Sequence, residues 1–409
     1  MPGLNRRSPD GPPTTVPDLR SAGRVARGEE SPLRVLYLID SLGLGGAESL
    51  LVQLARVGPS LGMSIQVAAL GGPRTGRTEM TGALSEAGAD PVFLDVRRLL
   101  APAGIPRIAR YIRTSGCDLM HAHLGDSITL GVPAARLAGK PVVCTFHSIP
   151  SQLPRREWAK ERLSVLAASN SDACIFVSEA MRTAFARRHP RHHDRWMVVR
   201  NGVDLSSQGG IIRSLPPELG IPQGAEVTAM VAALRPGKGQ VAAIQAWRKV
   251  VDRRPGAYLL IVGSGPEEEA IRAAIRCERL EDRVVLAGFR EDVPALLRAC
   301  SLVTLFSYGE ALPTVLMEAA GAGLPAVATE VGGTSEIVES GVTGTLVAGG
   351  DIEGFASAVL HLLEDPTLRS RMGDAARERA RAQFSVESWG ARLCEVYRSA
   401  QARHGSQMR

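Results

Sequence analysis

Two carboxylates, Glu310 and Glu318, stand eight residues apart in the segment FSYGEALPTVLMEAAGAGLPAVATEVGGTSEIV (306–338). Glu310 follows a short apolar run that reads as a strand, and Glu318 lies inside the helix that comes next. Pro313 fits the first turn of that helix, where its missing N–H costs nothing. The free N–H groups near Leu312, Pro313 and Thr314 form an anion site, to which Pro313 itself cannot donate. Backbone dipoles can therefore hold a diphosphate between two carboxylates, one placed to meet sugar hydroxyls and the other ribose hydroxyls. Taken alone, Glu310 equally reads as a helix N-terminal carboxylate stabilised by the dipole.

Other residues invite similar questions. In LGLGGAE (42–48), Gly45 and Gly46 let the backbone approach a ligand closely, and the following helix start can face a phosphate or sugar. The spacing is not GxGxxG, so dinucleotide binding is not supported. His147 follows a strand directly in CTFHS; capping or burial is the plain alternative to a role in a cleft. His121 and His123 alternate along a strand and so share one face, but no third zinc ligand accompanies them; they read as structural. Lys238, in RPGKG, reads by itself as an exposed turn lysine.

These residues need elements to position them. From Leu33 on, short apolar runs (LRVLYLI, IQVAAL, PVFLDV, LMHAH, PVVCTF, ACIFVS) alternate with Ala/Arg/Leu-rich helical segments, among them AESLLVQLARVGPSLG. The pattern pauses at MVVRNGVD (197–204), a Gly/Ser/Pro-rich loop runs to about Ile221, and a second series begins at EVTAMVAAL (226–234). The order βαβα implies parallel sheets covered on both faces. The division expected is a disordered tail (1–31), an N-terminal Rossmann-like domain (32–205), a second one (206–384) and a C-terminal helix (385–409) that crosses back to the first. Such domains bind ligands at the carboxyl ends of their strands, in the cleft between them.

Composition narrows the function classes. The chain is 44% hydrophobic and 22% charged, and its 4% aromatics argue against a stacking platform for nucleic acid. The six cysteines lie far apart with no CxxC, which fits a reducing, cytoplasmic compartment. The start has no signal-peptide h-region and no apolar run approaches a membrane span. The charge of +6 is partly local: Arg155–Arg200 holds ten Arg/Lys against five Asp/Glu. That stretch reads as a solvated helical face, or as a surface meeting anionic lipid or an anionic acceptor.

The Glu310–Glu318 segment resembles the Glu-x7-Glu motif of the family 4 retaining glycosyltransferases, a GT-B group. GLPAVATEVGGTSEIVESGVTGTLV, DLMHAHLGDS, CTFHS, VVRNGVD, ALRPGKG, IVGSGP and GFREDV match that group in its own order, over roughly residues 33–400. The resemblance implies two Rossmann-like domains facing across a cleft. It places Glu310 near the reacting centre of a donor sugar, Glu318 on the donor ribose and Lys238 on the diphosphate, whose growing negative charge a cation stabilises. It brings His147 beside the reacting sugar, Gly45 and Gly46 near the donor phosphate and the acceptor, and His123 toward the acceptor. Gly263 and Gly265 form a loop of the second domain, Phe289 and Arg290 lie beside the base, and Asn201-Gly202-Val203-Asp204 is the interdomain hinge.

Two departures stand out. The family's Arg, five residues before the lysine, is Ala233 here, and Arg235 either reaches the same phosphate or points to solvent. Ala311-Leu312 replaces a frequent Gly-Phe. The activity implied is retaining transfer of a hexose-type sugar from a UDP- or GDP-sugar to a glycan or lipid-linked acceptor, without cofactor or metal, since no Asp-x-Asp is present. An NDP-sugar epimerase and a non-catalytic nucleotide- or glycan-binding protein are the alternatives; a pyridoxal-phosphate phosphorylase is disfavoured by length. Peripheral contact with the inner membrane face through 155–200 is the expected surface partner.

Overall fold

The computed structural model describes residues 31–73, 77–96, 103–149, 155–191, 194–206 and 214–407. The tail expected over 1–31 lies, except for its last residue, outside the described residues.

The first sheet contains β1 (Leu33–Ile39), β2 (Met63–Ala69), β3 (Val92–Phe93), β4 (Leu119–His123), β5 (Val142–Phe146), β6 (Ala173–Phe176) and β7 (Trp196–Val198). All pairings are parallel and the order is β3-β2-β1-β4-β5-β6-β7. The helices are α1 (Gly46–Val57), α2 (Thr81–Glu86), α3 (Gly104–Thr114), α4 (Gly125–Leu137), α5 (Arg155–Ala168) and α6 (Glu179–Arg188). Five consecutive side chains of β1, Val35 to Ile39, are buried, as a central strand covered on both faces requires. Each contributes roughly 2 kcal/mol of burial.

The second sheet contains β8 (Glu226–Val231), β9 (Ala257–Val262), β10 (Val284–Leu286), β11 (Leu302–Leu305), β12 (Ala326–Thr329) and β13 (Gly344–Val347), again parallel, in the order β10-β9-β8-β11-β12-β13. Around it lie α7 (Gln240–Arg253), α8 (Glu268–Cys277), α9 (Val293–Arg298), α10 (Thr314–Ala322), α11 (Thr334–Ile337), α12 (Ile352–Glu364) and α13 (Pro366–Gln383). In both sheets chain order reverses beside the first strand, between β1 and β4 and between β8 and β11. These are the crevices where doubly wound sheets take ligands. The α/β reading with two Rossmann-like halves therefore holds.

Two boundaries differ from the sequence pattern. The helix read over AESLLVQLARVGPSLG ends at Val57, and Gly58–Leu61 forms a 3-10 turn, because Pro59 cannot continue the α ladder. The strand read over 226–234 ends at Val231. Leu234 then donates to the carbonyl of Ser264 instead of extending the sheet.

The chain passes between the halves twice. Residues 201–204 lead out of the first, and α14 (Val386–Gln407) returns to pack on α1. The two passes are pinned together: Val203 N–H donates to the Phe384 carbonyl at 2.8 Å, and Val386 N–H donates to that of Val203 at 3.0 Å. Gly202 sits against this junction, where a Cβ would overlap the Ser385 carbonyl and press on Trp389.

Candidate active site

At the β8/β11 crevice two loops interlock. Tyr308 N–H donates to the Gly237 carbonyl at 2.9 Å, and Gly239 (φ +71°) lies so close to Phe306 that a Cβ would overlap its carbonyl. This stitching carries Lys238 to Glu310: Nζ to Oε1 is 2.6 Å, with the side chains 16% and 9% exposed. The Ser307 hydroxyl donates to the same oxygen at 2.6 Å. Glu310 is thus a fixed carboxylate with one ammonium and one hydroxyl on a single oxygen.

Beyond it α10 begins. Pro313 occupies the N-cap position (φ −72°, ψ 110°) and not the first turn, because Thr314 is the first residue with helical geometry. The free N–H groups at the start of α10 therefore come immediately past Glu310. Glu318 stands farther along the same helix, where burial pushes its carboxyl up to about 7. A carboxylate kept out of water in this way needs hydroxyl partners to ionise comfortably.

The loop that precedes Lys238 is less furnished. Ala233 and Arg235 are both exposed, and no side-chain hydrogen bond or ion pair of Arg235 is seen among the described residues. Gly263 and Gly265, both with positive φ, wedge against this loop; a Cβ on either would overlap the carbonyls of Ala232 and Leu234. Phe289 is 49% exposed. Arg290 is held by Asp292, at 2.7 Å to each carboxylate oxygen, and by Glu218 at 3.2 Å. Its guanidinium is therefore anchored by two carboxylates.

Opposite, the first domain presents its own strand ends. Gly45 is the N-cap of α1, and Gly46 has open space around it. The space beside Gly45 is taken by the Glu48 carboxylate, which folds back over the loop. Burial raises its pKa, while its own backbone N–H acts in the other direction. The α1 N-terminus thus already holds a carboxylate, which an incoming phosphate would have to displace. Asp40, at the end of β1, accepts from the Ser127 N–H and hydroxyl, both at 2.6 Å, at the start of α4. Between β4 and α4, Leu124 has φ +72°, a conformation costly for a non-glycine residue and concentrated at functional clefts.

His147 Nε2 lies 2.7 Å from His123 Nδ1, and the two rings stack at 4.8 Å. Burial pushes His147 down to about 4, so the ring is neutral. His121 lies deeper. Its Nδ1 meets the Tyr397 hydroxyl on α14 and its Nε2 meets the Thr145 hydroxyl, each at 2.7 Å; Tyr397 in turn bonds to the Tyr37 hydroxyl. His121 therefore ties α14 to β4 and β5, in keeping with its structural reading.

The segment 330–336, a loop that runs into α11, brings the halves together. Gly332 (φ +53°) and Gly333 lie against Glu310 and Ala311, where Cβ atoms would overlap the carbonyl oxygens, and Gly333 N–H donates to the Glu310 carbonyl at 3.0 Å. On its other side the loop touches Ile149, two residues beyond His147, and Ser178. Glu336 then accepts from the Ala180 N–H at the start of α6 (3.0 Å) and from the Arg200 guanidinium (2.8 Å). Ser307, Gly332, Gly333 and Glu336 were not singled out in the sequence. The adjacent glycines were the one available signal, since consecutive Gly after a strand often marks close backbone approach. Among the described residues no group of three His, Cys, Asp or Glu is arranged to hold a metal ion.

The chain matches known families in both halves. Residues 212–379 match the family Glycosyl transferases group 1, and residues 44–207 match Glycosyltransferase Family 4. It is 36% identical over 294 residues to N-acetyl-alpha-D-glucosaminyl L-malate synthase of Bacillus anthracis, covering 69% of this chain and 74% of that one. It is 27% identical over 264 residues to UDP-Gal:alpha-D-GlcNAc-diphosphoundecaprenol alpha-1,3-galactosyltransferase of Escherichia coli (61% and 67%). The Anabaena protein HepE in complex with UDP and glucose superposes with a TM-score of 0.75 at 26% identity, over 89% of this chain and 98% of that one. With two facing Rossmann-like domains, the ordered motifs and these relatives, the chain belongs to the family 4 glycosyltransferases of GT-B fold and is a glycosyltransferase.

Proposed function

We propose that this glycosyltransferase moves a hexose-type sugar from a UDP-sugar to a hydroxyl of a glycan or lipid-linked acceptor, with retention of anomeric configuration and without a metal ion. The observation that carries this reading is the Lys238–Glu310 pair at the mouth of α10, with Glu318 on the same helix. Lys238 and the α10 N-terminus stabilise the departing diphosphate; Glu318 receives the ribose hydroxyls; Glu310 faces the sugar. The sugar C1–O bond to the diphosphate breaks as the acceptor oxygen bonds to C1 on the same face, and the acceptor proton passes to the leaving phosphate. The complex of HepE with UDP and glucose supports UDP over GDP, and the diphosphoundecaprenol acceptor named for the Escherichia coli relative supports a lipid-linked acceptor.

The test is a panel of nucleotide sugars measured by thermal shift, with and without EDTA, on the native protein and on Glu318→Ala. A ligand that binds the native state at 100 times its Kd stabilises it by about 2.7 kcal/mol. A shift with one UDP-sugar that survives EDTA and is lost in Glu318→Ala supports the reading. Loss of the shift in EDTA would remove the metal-free step.

A surface on the first domain favours peripheral attachment to an anionic membrane. On α5, Trp158, Arg162 and Leu166 follow one another at helical spacing, with Trp158 43% and Leu166 54% exposed and the Arg162 guanidinium over the indole ring. Arg155 and Arg156 are exposed on the same helix. Exposed indole and leucine among arginines suit the interfacial zone of a bilayer. Among the described residues no helix is long and apolar enough to cross a membrane. Arg188 is paired with Glu161 at 3.1 Å, so the test is placed on α5 instead, as Trp158→Ser combined with Leu166→Ser. That double variant should lose sedimentation with phosphatidylglycerol vesicles while keeping transfer to a soluble acceptor. Unchanged sedimentation would remove the surface from consideration.

A further inference from the structure

The buried imidazoles behind the cleft carry a constraint on the chemistry in front of them. His123 is 2% exposed and its ring is held by packing on three sides: ring centroids lie 4.2 Å from His121, 4.8 Å from His147 and 5.1 Å from Tyr37. Its Nδ1 contacts His147 Nε2 at 2.7 Å. Its Nε2 is buried without a hydrogen-bond partner. A neutral imidazole has one N–H and one lone pair, so two arrangements exist across the His123–His147 contact. If His147 donated, His123 would carry its proton on Nε2, leaving an N–H buried with nothing to accept it. If His123 donates, the unpartnered atom is a lone pair. Orphaned buried N–H groups are the rarer and costlier defect.

We infer that His123 is a positioning residue that fixes His147 in the tautomer protonated on Nδ1, so that His147 offers the cleft an N–H donor and not a basic lone pair. The Nδ1 atom of His147 has no hydrogen-bond partner among the described residues and is not among the buried unsatisfied atoms, so no described residue competes with a ligand for it. The role follows: His147 donates to an oxygen of the bound donor sugar or of the acceptor, and it does not take the acceptor proton. Burial, which keeps both rings neutral near pH 7, agrees with this assignment. His121 cannot substitute for His123, because both of its nitrogens are already engaged.

The inference rests on the proposed transfer reaction for its functional half only. The tautomer itself is read on the free protein by two-bond 1H–15N correlation of the full chain labelled on histidine, with His147→Ala identifying the signals. The expected result is a pyrrole-type Nδ1 and a pyridine-type Nε2 for His147. The reverse pattern overturns the inference, whatever the protein transfers. In the second arm, His123→Asn keeps an N–H donor near the position of Nδ1, and His123→Leu removes it. Transfer should fall about 10- to 100-fold in His123→Leu, by analogy with the loss of a partner behind a metal-bound histidine, and recover to within a few-fold in His123→Asn. Equal activity of the two variants, with the native fold retained by circular dichroism, would overturn the positioning role. Failure of the native protein to transfer from any nucleotide sugar would count against the proposed reaction and leave the tautomer result standing.

Discussion

Lys238 and Glu310, separated by 72 residues of sequence, meet as a 2.6 Å ion pair on opposite sides of the β8/β11 crevice. Lys238 thus acts from a fixed place, and Glu310 is relieved of one lone pair before any ligand arrives. Removing one partner leaves a mostly buried charge, whereas removing both does not. Lys238→Met should lower stability by about 1–3 kcal/mol and transfer by at least about 100-fold. Lys238→Met combined with Glu310→Gln should regain most of the stability, measured by denaturant unfolding, and none of the activity. Recovery of activity in the double variant would show the pair to be structural only.

On the proposed reading, in which Glu318 receives the ribose hydroxyls, a carboxyl raised to about 7 by burial should make nucleotide binding pH-dependent. Ribose hydroxyls donate to the ionised form, so binding favours loss of the proton and affinity rises with pH through about 7. The affinity for UDP, measured by calorimetry, should be about tenfold weaker at pH 6 than at pH 8, and Glu318→Gln should flatten the profile. Stability has the opposite sign. A carboxyl raised in the folded state favours folding below its unfolded value and loses that contribution as pH rises through about 7. Relative to the native protein, Glu318→Gln should therefore gain stability between pH 5 and pH 8.

Glu336 joins the halves by accepting from the α6 N-terminus and from Arg200. Glu336→Gln keeps the shape and one acceptor but loses the charge. It should leave UDP affinity within about twofold, since Glu336 touches the other domain, and lower kcat about tenfold, the size of one charge-assisted hydrogen bond. Steady-state kinetics beside nucleotide titration checks this; a fall in UDP affinity equal to the fall in kcat would contradict it.

Ala233 and Arg235 offer a gain-of-function test, since both side chains are exposed. Ala233→Arg should tighten UDP binding by about tenfold by adding one charge-assisted contact to the diphosphate. If Arg235 already serves that phosphate, Arg235→Ala should weaken binding by a similar factor in the native background and much less in Ala233→Arg. Full additivity of the two changes would mean that the residues act on separate groups.

The alternation of branched apolar runs and helical segments determined two parallel sheets by itself, because strand and helix periods differ and each βαβ unit is local. The Glu310–Glu318 spacing, the RPGKG loop and the glycine loops are strand-end segments written in consecutive residues, so their place in the fold was legible too, but their roles came only from the resemblance of the ordered motifs to a family. What only the tertiary structure decided depends on chain segments far apart in sequence. Ser307 and Lys238 share one oxygen of Glu310; Glu48 folds over the Gly45 loop; Glu336 crosses to α6; His123 takes the Nε2 of His147. No periodicity encodes these contacts, because they arise from the packing of two domains and from which buried polar atoms find partners. Sequence named the groups that could do chemistry; packing set their charge, their tautomer and their neighbours.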